Sequence, residues 1–169
     1  MEHTFPDRRA AGRALAERLG ALSGAVVLAL PRGGLPVADE VARALKAPLG
    51  IVLVRKIGMP GNPELAIGAI AGPEGRTMVL NEALIRGYGI DPATIEAQAA
   101  PERQELKRRS GLWGGQMGTG ALKDRTVVLV DDGIATGATM RAAIAAVRAD
   151  SPARIVVATP VAPPEVVAA

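Results

Sequence analysis

The sequence predicts an α/β domain built on a mostly parallel sheet of about five strands, with helices on both faces. Short runs of branched apolar residues, among them residues 25–30 and 127–130, are typical of strands buried on both faces inside such a sheet. A loop that contains Gly follows each of these runs, and residues with an apolar face at helical spacing follow the loop. Repeated units of strand, loop and helix indicate a parallel sheet.

The length and composition of the chain fit a single globular domain. It has 169 residues, of which 49% are hydrophobic, and this suits a domain with a sizeable core and argues against disorder. The 20 basic and 17 acidic residues are interspersed, and the net charge is only +3. Nucleic acid is therefore not expected as a partner, while a homo-oligomer stays open.

Several classes of protein are excluded by what the sequence lacks. No apolar run reaches the roughly 18 residues of a membrane span, and the first residues do not have the form of a signal peptide. We therefore expect a cytoplasmic protein with no membrane partner. The chain has no Cys and one His, so thiol catalysis and thiolate metal sites are excluded, and a His triad would depend on His3 near the terminus.

Capping residues and turn signals place further elements. Asp7 is a suitable N-cap for a helix that runs to about Leu19, and Pro36 fits the first turn of a second helix. Residues 66–71 and 76–80 flank a Gly-Pro-Glu-Gly turn, which predicts a hairpin at an edge of the sheet.

A long helix is predicted in the second half of the chain. Asp91 and Pro92 have the cap and first-turn character of a helix start, and the apolar pattern continues toward Leu106. Pro101 should kink this helix or restart it at about Ala100, because a proline removes a backbone donor and clashes with the preceding turn.

Residues 127–139 have the sequence Val-Val-Leu-Val-Asp-Asp-Gly-Ile-Ala-Thr-Gly-Ala-Thr, which puts two carboxylates just past a buried strand. A loop with Gly and Thr that opens a helix presents N–H groups, hydroxyls and the positive end of the helix dipole, and these bind phosphate. Asp131 and Asp132 would repel a phosphate, so vicinal hydroxyls or a hydrated cation suit them better. A sugar phosphate offers both kinds of group. The alternative is an ordinary turn whose Asp and Thr side chains cap a helix.

This stretch resembles the phosphoribosyl pyrophosphate (PRPP) motif of type I phosphoribosyltransferases, which has four apolar residues, two acids and then Thr-Gly-x-Thr. The resemblance implies a pentosyltransferase of nucleotide metabolism that transfers the phosphoribosyl group of PRPP to a nitrogenous acceptor and releases pyrophosphate. It also implies that Asp131 and Asp132 hold the ribose 2- and 3-hydroxyls and a Mg²⁺ ion. The residues that would wrap the 5-phosphate are Gly133, Ile134, Ala135, Thr136, Gly137, Ala138 and Thr139.

Arg32, Gly33 and Gly34 form a second loop between a predicted strand and a helix. Two Gly residues allow the backbone to approach a ligand closely, and an Arg guanidinium matches phosphate oxygens. Type I phosphoribosyltransferases grip pyrophosphate with a short loop at this place, so the resemblance assigns these three residues to PRPP binding and Arg32 to catalysis. On its own, the tripeptide would more often be a plain turn.

Residues 50–54 are predicted to form the next strand, with Arg55 and Lys56 at its carboxyl end. Ligands bind outside these ends in open parallel sheets. The two cations are therefore expected to share one cleft with the acids and the loop at residues 32–34, and to stabilise the leaving pyrophosphate. The alternative is a solvated strand end. Glu64 either pairs with one of these cations or begins the next element.

Residues 110–120 contain five Gly residues around Trp113, and a segment of this composition is flexible unless it is bound. Type I phosphoribosyltransferases have a flexible loop in this part of the chain that closes over the site. We therefore expect residues 102–120 to supply a lid, with a linker as the alternative. Trp113 could stack on a substrate ring or be buried.

Residues 152–159 form the last predicted strand, and the sequence stops soon after it, inside what should be another unit of strand and helix. Because members of the family commonly continue beyond this point, one interpretation is a domain truncated at its C-terminus. Another is a PRPP-sensing regulator with little catalysis, which should carry a basic surface stripe that the sequence does not show clearly.

Ala135 bears on the choice of acceptor. The 6-oxopurine members of the family carry an Asp two residues before the Gly of Gly-x-Thr, and Ala135 occupies that place here. Alanine cannot donate a hydrogen bond to a base or move a proton, although adenine and orotate enzymes tolerate it. Hypoxanthine and guanine are therefore expected to be poor acceptors, unless Glu102 or Glu105 of the expected lid supplies the proton chemistry.

Overall fold

The computed structural model describes residues 5–112 and 121–167. These residues form two compact units, the first from residues 5–52, 121–137 and 150–167 and the second from residues 53–112 and 138–149. That the whole chain is one domain stays a prediction. Within the described ranges, none of the helices has the length and apolar character needed to span a membrane.

The elements follow one another along the chain in a fixed order. They are α1 (Arg8–Leu19), β1 (Val26–Ala29), α2 (Gly34–Leu45), β2 (Leu49–Ile51), β3 (Val54–Met59), β4 (Asn62–Ala71), a short 3₁₀ turn (Pro73–Gly75), β5 (Thr77–Leu80), α3 (Glu82–Tyr88), α4 (Pro92–Leu112), β6 (Thr126–Val130), α5 (Ala138–Arg148), β7 (Arg154–Ala158) and α6 (Pro164–Val167).

The first unit contains a parallel sheet of four strands in the order β2-β1-β6-β7. The two central strands are the Val-rich runs that the sequence marks as buried, and nearly every residue in them is buried. Side chains of α2 pack against this sheet and complete the core, whose fully buried members include Val27, Val37, Val41, Val128 and Val130. The predicted α/β class with a parallel sheet is confirmed.

Helix α1 packs closely against α2. As predicted, Asp7 caps α1, and its Oδ1 atom accepts a hydrogen bond of 2.7 Å from the Ala10 N–H. A Cβ atom placed on Gly12 would lie 2.6 Å from the carbonyl oxygen of Val37 and 2.9 Å from the Cβ of Glu40. The absence of a side chain at Gly12 therefore allows the two helices to approach each other.

The second unit contains an antiparallel sheet in the order β3-β4-β5. The predicted hairpin exists as β4 and β5, but β4 pairs with β3 on its other side. The expectation that this hairpin forms an edge of the parallel sheet is therefore wrong, because the three strands make a sheet of their own. Its core includes Ile57, Ile67 and Ile70, together with Ala99 and Leu106 from α4.

The prediction of a single strand at residues 50–54 is also wrong. The parallel strand β2 ends at Ile51, although the Val52 N–H still donates a hydrogen bond of 3.0 Å to the Ala29 carbonyl. β3 then begins at Val54 in the antiparallel sheet. The run from Gly50 to Val54 is apolar throughout and contains no turn residue after the Gly, so the sequence does not mark the point at which the chain changes sheet.

α4 is a continuous helix of 21 residues that includes Pro101, so it does not restart near Ala100, and the kink given as the other possibility stays a prediction. Its beginning is as predicted, since Asp91 accepts a hydrogen bond of 2.8 Å from the Thr94 N–H. Residues 102–112, which we expected to belong to a flexible lid, are helical. The remainder of the expected lid, with Trp113, lies outside the described residues.

Gly12→Ala should lower the free energy of unfolding by about 1 to 3 kcal/mol, because the added methyl group forces α1 away from α2. Gly87→Ala is a matched control, since Gly87 is also helical and a Cβ atom there would meet nothing within 4 Å. The control should be neutral or stabilising by up to about 1 kcal/mol. Urea unfolding of both variants tests this expectation, and equal effects would contradict it.

Candidate functional site

The carboxyl ends of β1 and β6 lie side by side in the first unit. The parallel register pairs Ala29 with Val130, and the Leu30 N–H donates a hydrogen bond of 2.9 Å to the Val130 carbonyl. The segments that follow β1 and β6 therefore start from neighbouring positions at the carboxyl end of the sheet. Open parallel sheets bind ligands outside the carboxyl ends of their strands.

Gly33 and Gly34 lie directly against the two acids. A Cβ atom on Gly33 would stand 2.4 to 2.5 Å from the carboxylate atoms of Asp132, and one on Gly34 would stand 2.7 Å from the Val130 carbonyl oxygen. Contacts this short do not occur in proteins, so a side chain at either place would displace the acids. The sequence predicted that glycine allows a close backbone approach to a ligand, and in this structure the approach is to Asp132.

Asp131 and Asp132 are both partly buried and adjoin each other. The Asp132 N–H donates a hydrogen bond of 2.9 Å to Asp131 Oδ1, and the Asp131 N–H donates to the Ala158 carbonyl at 3.3 Å. Burial raises the pKa of Asp131 to about 6, and the neighbouring charge of Asp132 adds to the increase. At neutral pH the Asp131 carboxylate is therefore mostly ionised, although it is poorly solvated.

Arg8, at the start of α1, binds Asp132. Its Nε and one of its terminal nitrogens each lie 2.8 Å from Asp132 Oδ2. The helical pattern of α1 predicts only a solvated charged surface, so sequence reasoning missed this contact. No local signal could have revealed it, since the two residues are 124 positions apart in the chain.

The loop after the acids has the conformation that its glycine requires. Gly137 has a φ of +77°, which side-chain-bearing residues rarely adopt. The Ile134 N–H donates a hydrogen bond of 2.9 Å to the Val161 carbonyl and so fixes the middle of the loop. Ala135 and Thr136 are exposed, and α5 begins at the residue after Gly137.

Arg55 and Lys56 do not follow a parallel strand, as the sequence predicted, but lie inside β3 of the second unit. Arg55 Nε lies 2.7 Å from Glu102 Oε2 of α4, and Lys56 Nζ lies 3.7 Å from Glu64 Oε2 of β4. Glu64 therefore pairs with one of the cations, which is one of the two possibilities the sequence left open. The role of Arg55 and Lys56 in pyrophosphate binding stays a prediction.

The donor set of the first unit suits a magnesium ion that arrives with a substrate. No cluster of three or more His, Cys, Asp or Glu side chains with metal-site geometry exists among the residues that the structure describes. Asp131 and Asp132 offer two adjoining carboxylates, and Mg²⁺ is typically held by one or two carboxylates together with water and substrate phosphates. The pair therefore fits Mg²⁺ in complex with a phosphorylated ligand.

The fold and the two neighbouring loops define an α/β protein in which the segments that follow the central strands of a parallel sheet, β1 and β6, lie in contact. The chain belongs to the phosphoribosyl transferase domain family, because the family model with that description matches residues 8–167. The family predicted from the motif at residues 127–139 is thus confirmed.

Two relatives come from Mycobacterium tuberculosis strains CDC 1551 and H37Rv, and each bears the name "Putative phosphoribosyl transferase". Each is 48% identical to this chain over 166 residues, which is 97% of this chain and 37% of the relative. The chain thus spans little more than a third of the length of these relatives.

Solved structures give the same fold. The crystal structure of TT1426 from Thermus thermophilus is 50% identical, has a TM-score of 0.79, and covers 97% of this chain and 78% of its own. The purine phosphoribosyltransferase from Pyrococcus horikoshii is 20% identical, with a TM-score of 0.50, covering 91% of this chain and 71% of its own. The second likeness supports the fold alone.

Asp131→Asn should raise the free energy of unfolding at pH 7 by on the order of 1 to 2 kcal/mol. The pKa of Asp131 is raised from 3.8 to about 6 in the folded protein, so its ionisation disfavours folding, and the parent loses stability as the pH rises from about 4 to about 6. Asparagine keeps the acceptor for the Asp132 N–H but carries no charge.

Urea unfolding of the parent and of Asp131→Asn near pH 4 and near pH 7 measures this effect. The variant should gain little at the lower pH, where Asp131 is protonated in the folded parent. A gain of the same size at both pH values would show that the substitution acts through packing and not through charge.

Proposed function

We propose that this protein is a PRPP-dependent pentosyltransferase that moves the phosphoribosyl group of PRPP to a nitrogenous acceptor and releases pyrophosphate. The observation that carries the proposal is the packing of Gly33 and Gly34 against Asp131 and Asp132 at the carboxyl ends of β1 and β6. A loop suited to phosphate and a pair of acids suited to hydroxyls thus lie together, and PRPP carries both kinds of group.

Each residue group at the carboxyl ends of β1 and β6 has a proposed role in binding. Asp131 and Asp132 accept hydrogen bonds from the ribose 2- and 3-hydroxyls, which replaces water lost from these partly buried carboxylates. The backbone N–H groups and hydroxyls of residues 133–139 bind the 5-phosphate. Arg32, whose side chain is exposed, and the amides of Gly33 and Gly34 bind the pyrophosphate.

The reaction requires electrostatic stabilisation and no protein nucleophile. An acceptor nitrogen attacks C1 of the ribose while the bond from C1 to the pyrophosphate oxygen breaks, so positive charge develops on the ribose and negative charge on the leaving group. Asp131 and Asp132 stabilise the first charge, and Arg32 with the loop amides stabilises the second. Mg²⁺ held at Asp131 and Asp132 would further neutralise the phosphates.

The residues that the sequence associates with the proton chemistry of the acceptor offer little of it. Ala135 has none, and the two carboxylates suggested by the sequence are held in ion pairs on α4. Arg108 and Arg109 lower the pKa of Glu105 to about 2, and Glu102 is paired with Arg55. A carboxylate with so low a pKa is a weak base at neutral pH, so the expectation that hypoxanthine and guanine are poor acceptors is strengthened.

PRPP with Mg²⁺ should raise the thermal stability of the parent, by about 2.7 kcal/mol at 100 times the dissociation constant. Asp132→Asn should weaken PRPP binding roughly ten- to a hundredfold, because it removes a charge-assisted hydrogen bond. Asp124→Asn makes the same chemical change at the opposite end of β6, where the φ of +58° also suits asparagine.

Thermal melts and calorimetric titration of the three proteins with PRPP and Mg²⁺ provide the measurement. The control Asp124→Asn should bind PRPP like the parent. If millimolar PRPP leaves the melting temperature of the parent unchanged, the proposed function is refuted, and if Asp132→Asn binds like the parent, its carboxylate has no part in the site.

Turnover with adenine, uracil or orotate should exceed turnover with hypoxanthine and guanine by at least about tenfold. This threshold is conservative, because general acid–base catalysis usually contributes about a hundredfold or more. Steady-state assays with PRPP and each base measure this. Efficient conversion of hypoxanthine would contradict the argument from Ala135. Tight PRPP binding with no turnover on any acceptor would favour a PRPP-sensing regulator.

A further inference from the structure

Arg8 contributes a cation to the candidate site that the family motif does not contain. Its Nε donates a hydrogen bond of 2.8 Å to Oδ2 of Asp132, and one of its terminal nitrogens lies 2.8 Å from the same oxygen. The Arg8 side chain is 60% exposed, and that of Asp132 is 30% exposed. This pair is therefore open to solvent on the side of Arg8, and the guanidinium can exchange its partner without unfolding α1.

The same carboxylate oxygen places Arg8 next to the loop at residues 32–34. A Cβ atom on Gly33 would stand 2.4 Å from Asp132 Oδ2, the atom that Arg8 holds. Arg8 and Gly33 thus approach one oxygen from different elements of the first unit. A pyrophosphate bound along this loop would lie within reach of the Arg8 side chain.

Whether Arg8 favours or opposes ligand binding depends on whether it pairs more strongly with the Asp132 carboxylate or with a phosphate of the ligand. An exposed Arg–carboxylate pair changes an equilibrium constant by roughly fivefold at most. A guanidinium bonded to phosphate forms a two-pronged, charge-assisted contact that is worth roughly ten- to a hundredfold. Exchange of Asp132 for a phosphate therefore favours the bound state, and the ribose hydroxyl or Mg²⁺ takes the place of Arg8 on Asp132.

We propose that Arg8 is a pyrophosphate-binding residue that releases Asp132 and pairs with the diphosphate of the substrate when it binds. The proposal rests on the function proposed above. If Arg8 were only a counter-ion of Asp132, it would compete with the ligand for that carboxylate, and its removal would tighten ligand binding.

Arg9 supplies a matched control on the same helix. It carries the same charge one residue further along α1, but its guanidinium contacts Asp39 and Glu40 of α2, at 2.8 Å and 3.1 Å. Arg9→Gln removes the same charge as Arg8→Gln and breaks more ion pairs. Any effect of net charge or of helix stability should therefore appear in Arg9→Gln as well.

The test is calorimetric titration of the parent, Arg8→Gln, Arg8→Lys and Arg9→Gln with Mg²⁺ and one of three probes, namely PRPP, inorganic pyrophosphate and ribose 5-phosphate. Arg8→Gln should weaken PRPP and pyrophosphate about tenfold and leave ribose 5-phosphate within about twofold of the parent. Arg8→Lys should restore part of the loss, since lysine keeps the charge but not the two-pronged geometry. Arg9→Gln should bind all three probes like the parent.

Three results would overturn the proposal. They are unchanged pyrophosphate binding in Arg8→Gln, equal losses for pyrophosphate and ribose 5-phosphate, and tighter binding of the probes by Arg8→Gln, which is the behaviour of a competing counter-ion. These results differ from failure of the proposed function itself, in which the parent would bind no PRPP.

Discussion

The parallel pairing of β1 with β6 is the constraint on which the candidate site depends. Because Ala29 and Val130 are in register and the Leu30 N–H bonds the Val130 carbonyl, the chain leaves both strands at the same level. The loop at residues 32–34 then meets Asp131 and Asp132 at contact distance, which only glycine permits. A shift of register would separate the loop from the acids and remove the site without changing the sequence of either segment.

Several ionic groups expected to bind the substrate already have partners within the protein. Asp132 is bonded to Arg8, Arg55 to Glu102, and Lys56 lies near Glu64. Two of these pairs include a well-exposed side chain and the Arg55–Glu102 pair is partly buried; exposed pairs contribute little to stability, commonly about 0 to 1 kcal/mol. Substrate binding by these groups, as proposed, would therefore exchange an internal partner for a group of the ligand. For the cations Arg8, Arg55 and Lys56 that group would be a phosphate, which carries a larger charge than a carboxylate.

Two places where the structure differs from the pattern expected from the sequence have the same physical origin. The apolar run that follows Pro48 has a uniform character, which predicts one strand, but its first part pairs with β1 and its continuation pairs with β4. The charged residues of α4 precede a segment rich in Gly, which predicts a lid, but Glu105 pairs with Arg108 and Arg109 at helical spacing. In each case the structure of the segment depends on which residues it pairs with.

The sequence by itself determined what depends on near neighbours in the chain. The cap of α1 at Asp7, the buried strands β1 and β6, the hairpin of β4 and β5, and the family through the motif after Val130 all follow from it, since each rests on interactions within a few residues or on a contiguous pattern. The tertiary structure alone decided that Gly33 touches Asp132, that Arg8 binds the same carboxylate from 124 positions away, and that β3 belongs to a second sheet. Such contacts depend on how strands pair and helices pack, and local sequence carries no record of the distant partner.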